Sequence, residues 1–267
     1  MRVRVSAVLL VALALVSCQA NQVLSGVFGG TAGRWIDLTY PFSAETIYWP
    51  TGEPFRLERV AYGRADAGYF YSSNNFSAAE HGGTHFDAPI HFAERGQTAE
   101  LVPVDRLIGP AVVVDVTDRA TPDYQVQVDD LERWEATHGP IPGGVVVLLR
   151  TGWGSRWPNR LEFLGTDLTG AEAVPNLHFP GLSAAAARWL VDNRSVDAVG
   201  IDTPSIDYGQ SSTFETHVIL CGAGMPIFEN IANLGQLPEA GSYVVALPIK
   251  SAGGSGGPLR IVGFVPS

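Results

Sequence analysis

The sequence predicts a single domain of the α/β or mixed β class, and three observations carry that reading. Short β-branched apolar runs recur along the chain, a few amphipathic segments interrupt them, and glycine and proline are scattered between the runs instead of gathering in a linker. With 267 residues and 46% hydrophobic content the chain can bury one sizeable core. No internal repeat or low-complexity stretch divides it.

The first twenty residues differ from the rest. Arg2 and Arg4 precede an apolar run from Val5 to Val16, and small or polar residues follow. This is the charged region and short apolar region of a secretory signal, too short for a spanning helix. Leu15-Val16-Ser17-Cys18 resembles a bacterial lipobox, in which Cys18 is lipidated and anchors the new N-terminus to the membrane; a cut after Ala20 is the alternative. Either route predicts an exported protein, a periplasmic or cell-envelope lipoprotein or a secreted one, with segment 1–20 as signal and 21–267 as the domain. Removing residues 1–17 leaves 15 basic against 27 acidic side chains, a net charge of about −12, which argues against nucleic acid as a partner. Cys221 then has no partner for a disulfide framework and reads as a small buried hydrophobe.

Strands are predicted at Trp35–Tyr40, Ala111–Thr117, Val145–Thr151, Ala198–Asp202, Tyr243–Ile249 and Leu259–Val265, all short and rich in β-branched residues. Helical spacing marks Val128–Thr137, Leu182–Asn193 and Thr213–Cys221. The last opens on Ser212-x-x-Glu215, which has the form of a capping box.

The stretch HGGTHFDAPIH, residues 81–91, holds three of the six histidines together with an aspartate. Gly82-Gly83 and Pro89 argue against a helix, so an extended chain is expected. In such a chain side chains alternate, and His81, His85, Asp87 and His91 share one face. Neutral imidazoles and a carboxylate suit a divalent first-row metal such as zinc or manganese, with positions left open for water or substrate. No zinc-finger or zincin spacing is present. Elsewhere, His138 suits the C-terminus of a helix, His178 lies in a loop with only its residue type to recommend it, and Asp202 and Asp207 flank a Thr-Pro turn. Glu80 reads as either a support for a ligand or a surface charge.

Residues 80–92, EHGGTHFDAPIHF, resemble the H-x-G-T-H-x-D-x-P-x-H signature of the metal-dependent cyclase-like hydrolases, a family that includes bacterial kynurenine formamidase, isatin hydrolase and relatives linked to polyketide cyclisation. Gly200–Asp207, His217, Glu229, Ala246–Lys250 and Pro258–Arg260 follow the family's order. Upstream, Tyr48–Phe55 is similar to its W-P-G-D-x-P-F segment, with Thr51-Gly52-Glu53 in place of the usual Gly-Asp pair. The likeness covers roughly residues 35–265.

The resemblance implies a swivelling β/β/α fold and a homodimer. It makes His81, His85 and Asp87 ligands of a first metal, with Asp87 able to bridge to a second held by His217 and Glu229, and it makes His91 the catalytic base. One or two zinc or manganese ions per chain are implied, the carboxylate of Glu229 favouring two. The implied reaction is hydrolysis of a small-molecule amide, formamide or lactam, with a lactone, an ester or a polyketide-type cyclisation as alternatives. Aromatic residues near the signature, Trp49, Phe55, Tyr71 and Phe76, are candidates to wall an aryl substrate. Two competing readings are carried forward. His85-x-Asp87 with a distant histidine also fits a non-haem iron oxygenase, with Arg188 ten residues beyond His178 as an oxo-acid anchor. The other is a metal- or ligand-binding protein without turnover.

Overall fold

The computed structural model describes residues 26–267; the predicted signal segment and Cys18 lie outside the described residues. In chain order the strands are β1 (Gly33–Asp37), β2 (Arg56–Arg64), β3 (Phe70–Ser77), β4 (His85–Asp87), β5 (Ile108–Asp115), β6 (Gln125–Val126), β7 (Val146–Arg150), β8 (Gly181–Leu182), β9 (Ala198–Ile201), β10 (Ile227–Glu229), β11 (Ser242–Pro248) and β12 (Gly256–Pro266). The helices are α1 (Val128–His138), α2 (Arg160–Leu164), α3 (Ala184–Asn193) and α4 (Glu215–Gly222).

The main sheet runs β1-β12-β11-β5-β7-β9-β10-β4, and β4 pairs back onto β12, so seven strands close into a barrel-like ring with β1 added outside. Strands β5, β7, β9 and β10 are parallel, whereas β4, β11 and β12 join antiparallel. Strands β5, β7 and β9 are buried on both faces over most of their length, which is why they read as continuous apolar runs. Their alternate side chains serve two cores. Val112, Val114, Val147 and Leu149 face Leu131, Trp134 and Leu190 of α1 and α3, while Ala111, Val113, Val146 and Leu148 join Phe86, Phe228 and Ile261.

All six predicted strands are present, with ends moved by a few residues. Two of the predicted helices need correction. Residue 182 belongs to β8, and α3 begins after Ser183, whose side chain accepts a hydrogen bond from the Ala186 amide. The Ser212 capping box does not form: α4 starts at Glu215 behind Phe214, which is left-handed at φ 50°, and its cap comes from the distant Asp207. Strands β2, β3, β6, β8 and β10 are absent from the sequence reading, and β4 falls within the stretch expected to be extended. Strands β2 and β3 pair only with each other, and both faces of this hairpin are largely exposed, Tyr62, Phe70 and Phe76 among them.

Candidate metal centre

Strand β4 is held on both sides, and the register decides what its side chains meet. His85 lies opposite Glu229 of β10 and opposite Pro258 of β12, while Asp87 lies opposite Ile227 and Gly256. Only 85–87 is strand. Gly83 adopts φ 58°, a left-handed conformation that suits glycine, and Pro89–His91 forms a 3₁₀ turn. The expectation of one extended face across 81–91 therefore holds for His85 and Asp87 alone; His81 and His91 reach the same place through turns, and their rings stack at 3.8 Å.

His85 Nδ1 donates to the Gly83 carbonyl at 2.9 Å. That bond turns Nε2 towards Asp87 Oδ1 and Glu229 Oε2, each 3.3 Å away. His217 is oriented in the same manner by Asp207, which the sequence predicts only as a turn former. Asp207 accepts from the backbone amides of Thr216 and His217 at 3.0 and 3.1 Å and from His217 Nδ1 at 2.7 Å. It caps α4 and aims His217 Nε2 at Asp87 Oδ2, 3.3 Å away, and at Glu229 Oε1, 3.2 Å away. The Ile206 amide donates to Glu229 Oε1 at 2.6 Å. His81 Nδ1 lies 2.6 Å from Asp87 Oδ1, and its Nε2 lies 2.9 Å from Ser255 Oγ, which donates to Glu80 Oε2 at 2.6 Å. Glu80 is thus a support for His81.

Burial by itself would lower the pKa of His85, but Asp87 and Glu229 beside it carry it up to about 10. His217 is likewise raised well above 6.5, burial being outweighed by Asp207, Asp87 and Glu229. Asp87 stays well below the usual carboxylate range because the histidines around it overcome its burial. His91 goes the other way: burial, with His81 and His217 nearby, depresses it to about 4, so its ring is neutral at physiological pH.

Two groups of donor atoms converge within 4.8 Å of one another, His85, Asp87 and Glu229 in one and His81, Asp87 and His91 in the other, sharing Asp87. Buried carboxylates facing imidazole nitrogens, each braced from behind, have the donor chemistry a divalent first-row ion requires. A cavity of about 280 Å³ opens on these groups, walled by Trp49, Phe92 and Phe214 among others. Phe55 is a correction: it stacks on Phe76 and packs at a tilt against Phe42, outside the cavity wall. Tyr71 and Phe76 lie on the exposed hairpin. His138 ends α1 and contacts the Trp134 carbonyl. His178 pairs with Asp123 at 2.7 Å, away from the cavity, which removes the histidine and the Arg188 anchor from the oxygenase arrangement. Asp202 accepts from Thr151 and Gly152 and does not line the cavity. The Cys221 thiol is buried, and burial pushes it up to about 12.

A closed α/β sheet that gathers imidazoles and carboxylates on two of its strands and an adjoining helix has the make-up of a metal-dependent hydrolase. Residues 36–208 match the family described as putative cyclase, and the chain belongs to that family. It is 32% identical over 209 residues to isatin hydrolase of Roseibium aggregatum, covering 74% of this chain and 77% of that protein. To kynurenine formamidase of Bacillus cereus it is 26% identical, covering 86% of this chain and 96% of that one. The solved isatin hydrolase A of Ralstonia solanacearum is 33% identical with a TM-score of 0.82, over 92% of this chain and 97% of that chain. A solved protein described as a potential metal-dependent hydrolase with cyclase activity is 26% identical with a TM-score of 0.65, over 88% of this chain and the whole of that one. The chain is a hydrolase of this family.

Proposed function

We propose that the protein is an exported hydrolase of an aryl lactam or related cyclic amide, working with zinc or manganese, one or two ions per chain. The observation that carries this reading is the convergence of His85, Asp87, His217 and Glu229 beside a cavity with aromatic walls. His81, His85 and Asp87 would hold a first ion and Asp87, His217 and Glu229 a second. A divalent ion in such a site supplies acidity, making water ionisable near neutral pH and drawing electron density from a carbonyl.

The remaining work falls to the chain. His91, neutral because it is buried, takes a proton from the attacking water and returns it to the departing nitrogen. Its stack on His81 keeps the ring in place for both transfers. Trp49, Phe92 and Phe214 exclude water and offer ring faces to an aryl group. Asp207 and Glu80 position imidazoles without touching substrate. The lactam is favoured over a formamide because the more similar curated relative is the isatin hydrolase.

A homodimer is part of the proposal, supported by the hairpin β2–β3: two strands alone are marginal in water, and exposed aromatic residues on both faces suit burial against a second copy. Export, with Cys18 as a lipid anchor, rests on the N-terminal signal alone. The test is turnover of isatin, N-formylkynurenine and an aryl lactone by metal-loaded protein, the lactam being hydrolysed with the highest kcat/KM. Turnover of the lactone alone would contradict the assignment.

A further inference from the structure

Into the start of β12 the chain runs Ser251-Ala252-Gly253-Gly254-Ser255-Gly256-Gly257, and two of these glycines are required by what they pass. A β-carbon on Gly254 would stand 2.8 Å from Glu80 Oε1, and one on Gly256 would stand 2.6 Å from His81 Cε1. The residue between them is pinned through its backbone. The Ser255 carbonyl accepts from the Ala88 amide and the Gly254 carbonyl from the Ala99 amide, both at 2.9 Å. The segment thereby brings one hydroxyl, that of Ser255, to within 2.9 Å of His81 Nε2.

The direction of each hydrogen bond follows from what its partners can do. A carboxylate only accepts, and Glu80 Oε2 takes both the Ser255 amide at 3.0 Å and the Ser255 hydroxyl at 2.6 Å. With its single hydrogen given to Glu80, Ser255 Oγ offers His81 lone pairs alone, so Nε2 is the protonated nitrogen and the donor. The opposite nitrogen, Nδ1, faces Asp87 Oδ1 at 2.6 Å. His85 and His217 are arranged the other way round: their Nδ1 atoms meet the Gly83 carbonyl and Asp207, and their Nε2 atoms face the carboxylates.

We propose that Ser255 is a positioning residue of the metal centre: oriented by Glu80, its hydroxyl fixes His81 as the Nε2–H tautomer and so commits Nδ1, the nitrogen opposite to the one His85 and His217 use, to the metal. An imidazole free to exchange tautomers offers Nδ1 for only part of the time. A partner behind the ring holds both the binding form and the ring plane, an effect on the order of 10–100-fold in metal affinity. Because His81 stacks on His91 at 3.8 Å, the same brace fixes the surface against which His91 rests. The inference rests on the metal-dependent reading of the site and deepens it.

The test loads the protein with zinc and reads the histidine ring nitrogens by NMR after nitrogen-15 labelling. His81 should carry hydrogen on Nε2 and zinc on Nδ1, whereas His85 and His217 carry hydrogen on Nδ1. Ser255→Ala, which removes the hydroxyl behind Nε2, should bind zinc about 10–100-fold more weakly in competition with a chelator. Ser255→Thr, which returns a hydroxyl, should recover most of that loss. Zinc on His81 Nε2, or a folded Ser255→Ala protein that holds zinc as tightly as wild type, would overturn the inference and leave the metal centre standing. The wild-type spectrum decides the tautomer even where a variant does not fold. A wild type that takes up no zinc would sink the metal-site reading and this inference with it.

Discussion

Asp207→Asn is the most informative single change, because Asp207 joins helix capping to the metal centre. Its carboxylate accepts two backbone amides at the start of α4 and the Nδ1 hydrogen of His217. Loss of a helix cap costs about 1 kcal/mol, and a charge-assisted buried hydrogen bond is worth about 1.5–3 kcal/mol. Asparagine keeps one acceptor, so the metal-free protein should lose about 2–3 kcal/mol. Losing the brace behind His217 should also weaken metal binding or turnover by about 10–100-fold. The pH dependence has a defined sign. Because His217 is raised in the folded state, the stabilisation it brings is complete below 6.5 and fades as pH rises through its folded pKa. The wild-type advantage over the variant in metal-free protein should therefore be larger at pH 6 than well above neutrality. Urea unfolding at several pH values and metal titration measure both effects. An Asp207→Asn protein with wild-type metal affinity and no loss of stability at pH 6 would refute the reasoning.

Other consequences follow from the same geometry. His91→Ala should keep its metal and lose kcat by about 10²–10⁴-fold, measured by metal analysis and steady-state kinetics; loss of the metal in that variant would make His91 a ligand. Since His91 stays neutral above about pH 4, its protonation should not limit kcat/KM between pH 5 and 8, which a pH–rate profile checks. Asp87→Ala should abolish metal uptake and activity together, as Asp87 belongs to both groups of donor atoms. Chelation should lower the thermal midpoint, the loss amounting to about 2.7 kcal/mol where free metal had been at 100 times its Kd.

The parallel strands β5, β7 and β9 were legible in the sequence because burial on both faces leaves no polar alternation to confuse with another element. Strand β10 was not, and β4 was legible only as extended chain, since three residues carry no periodicity and their pairing is a tertiary event. The motif histidines stood out by type and spacing, but the device that gathers them did not. His81 and His91 converge through a left-handed Gly83 and a 3₁₀ turn, which simple alternation cannot anticipate. Asp207 was passed over for a related reason: a carboxylate beside Thr-Pro looks like a turn former until α4 is seen to start against it. One signal was available, the ten-residue separation of Asp207 and His217 around a helix start, and the Ser212 capping pattern obscured it. Phe55 was misread because aromatic residues near a motif can stack on a neighbouring hairpin as readily as wall a cavity.

The central claim is that a divalent metal held by His81, His85, Asp87, His217 and Glu229 drives hydrolysis of a lactam. The direct measurement is metal content per chain by mass spectrometry, on protein beginning at Asn21, paired with isatin turnover before chelation, after it and after reconstitution. The account predicts one or two zinc or manganese ions per chain, activity lost with them, and activity restored by adding them back. Full turnover in protein stripped of metal would contradict it.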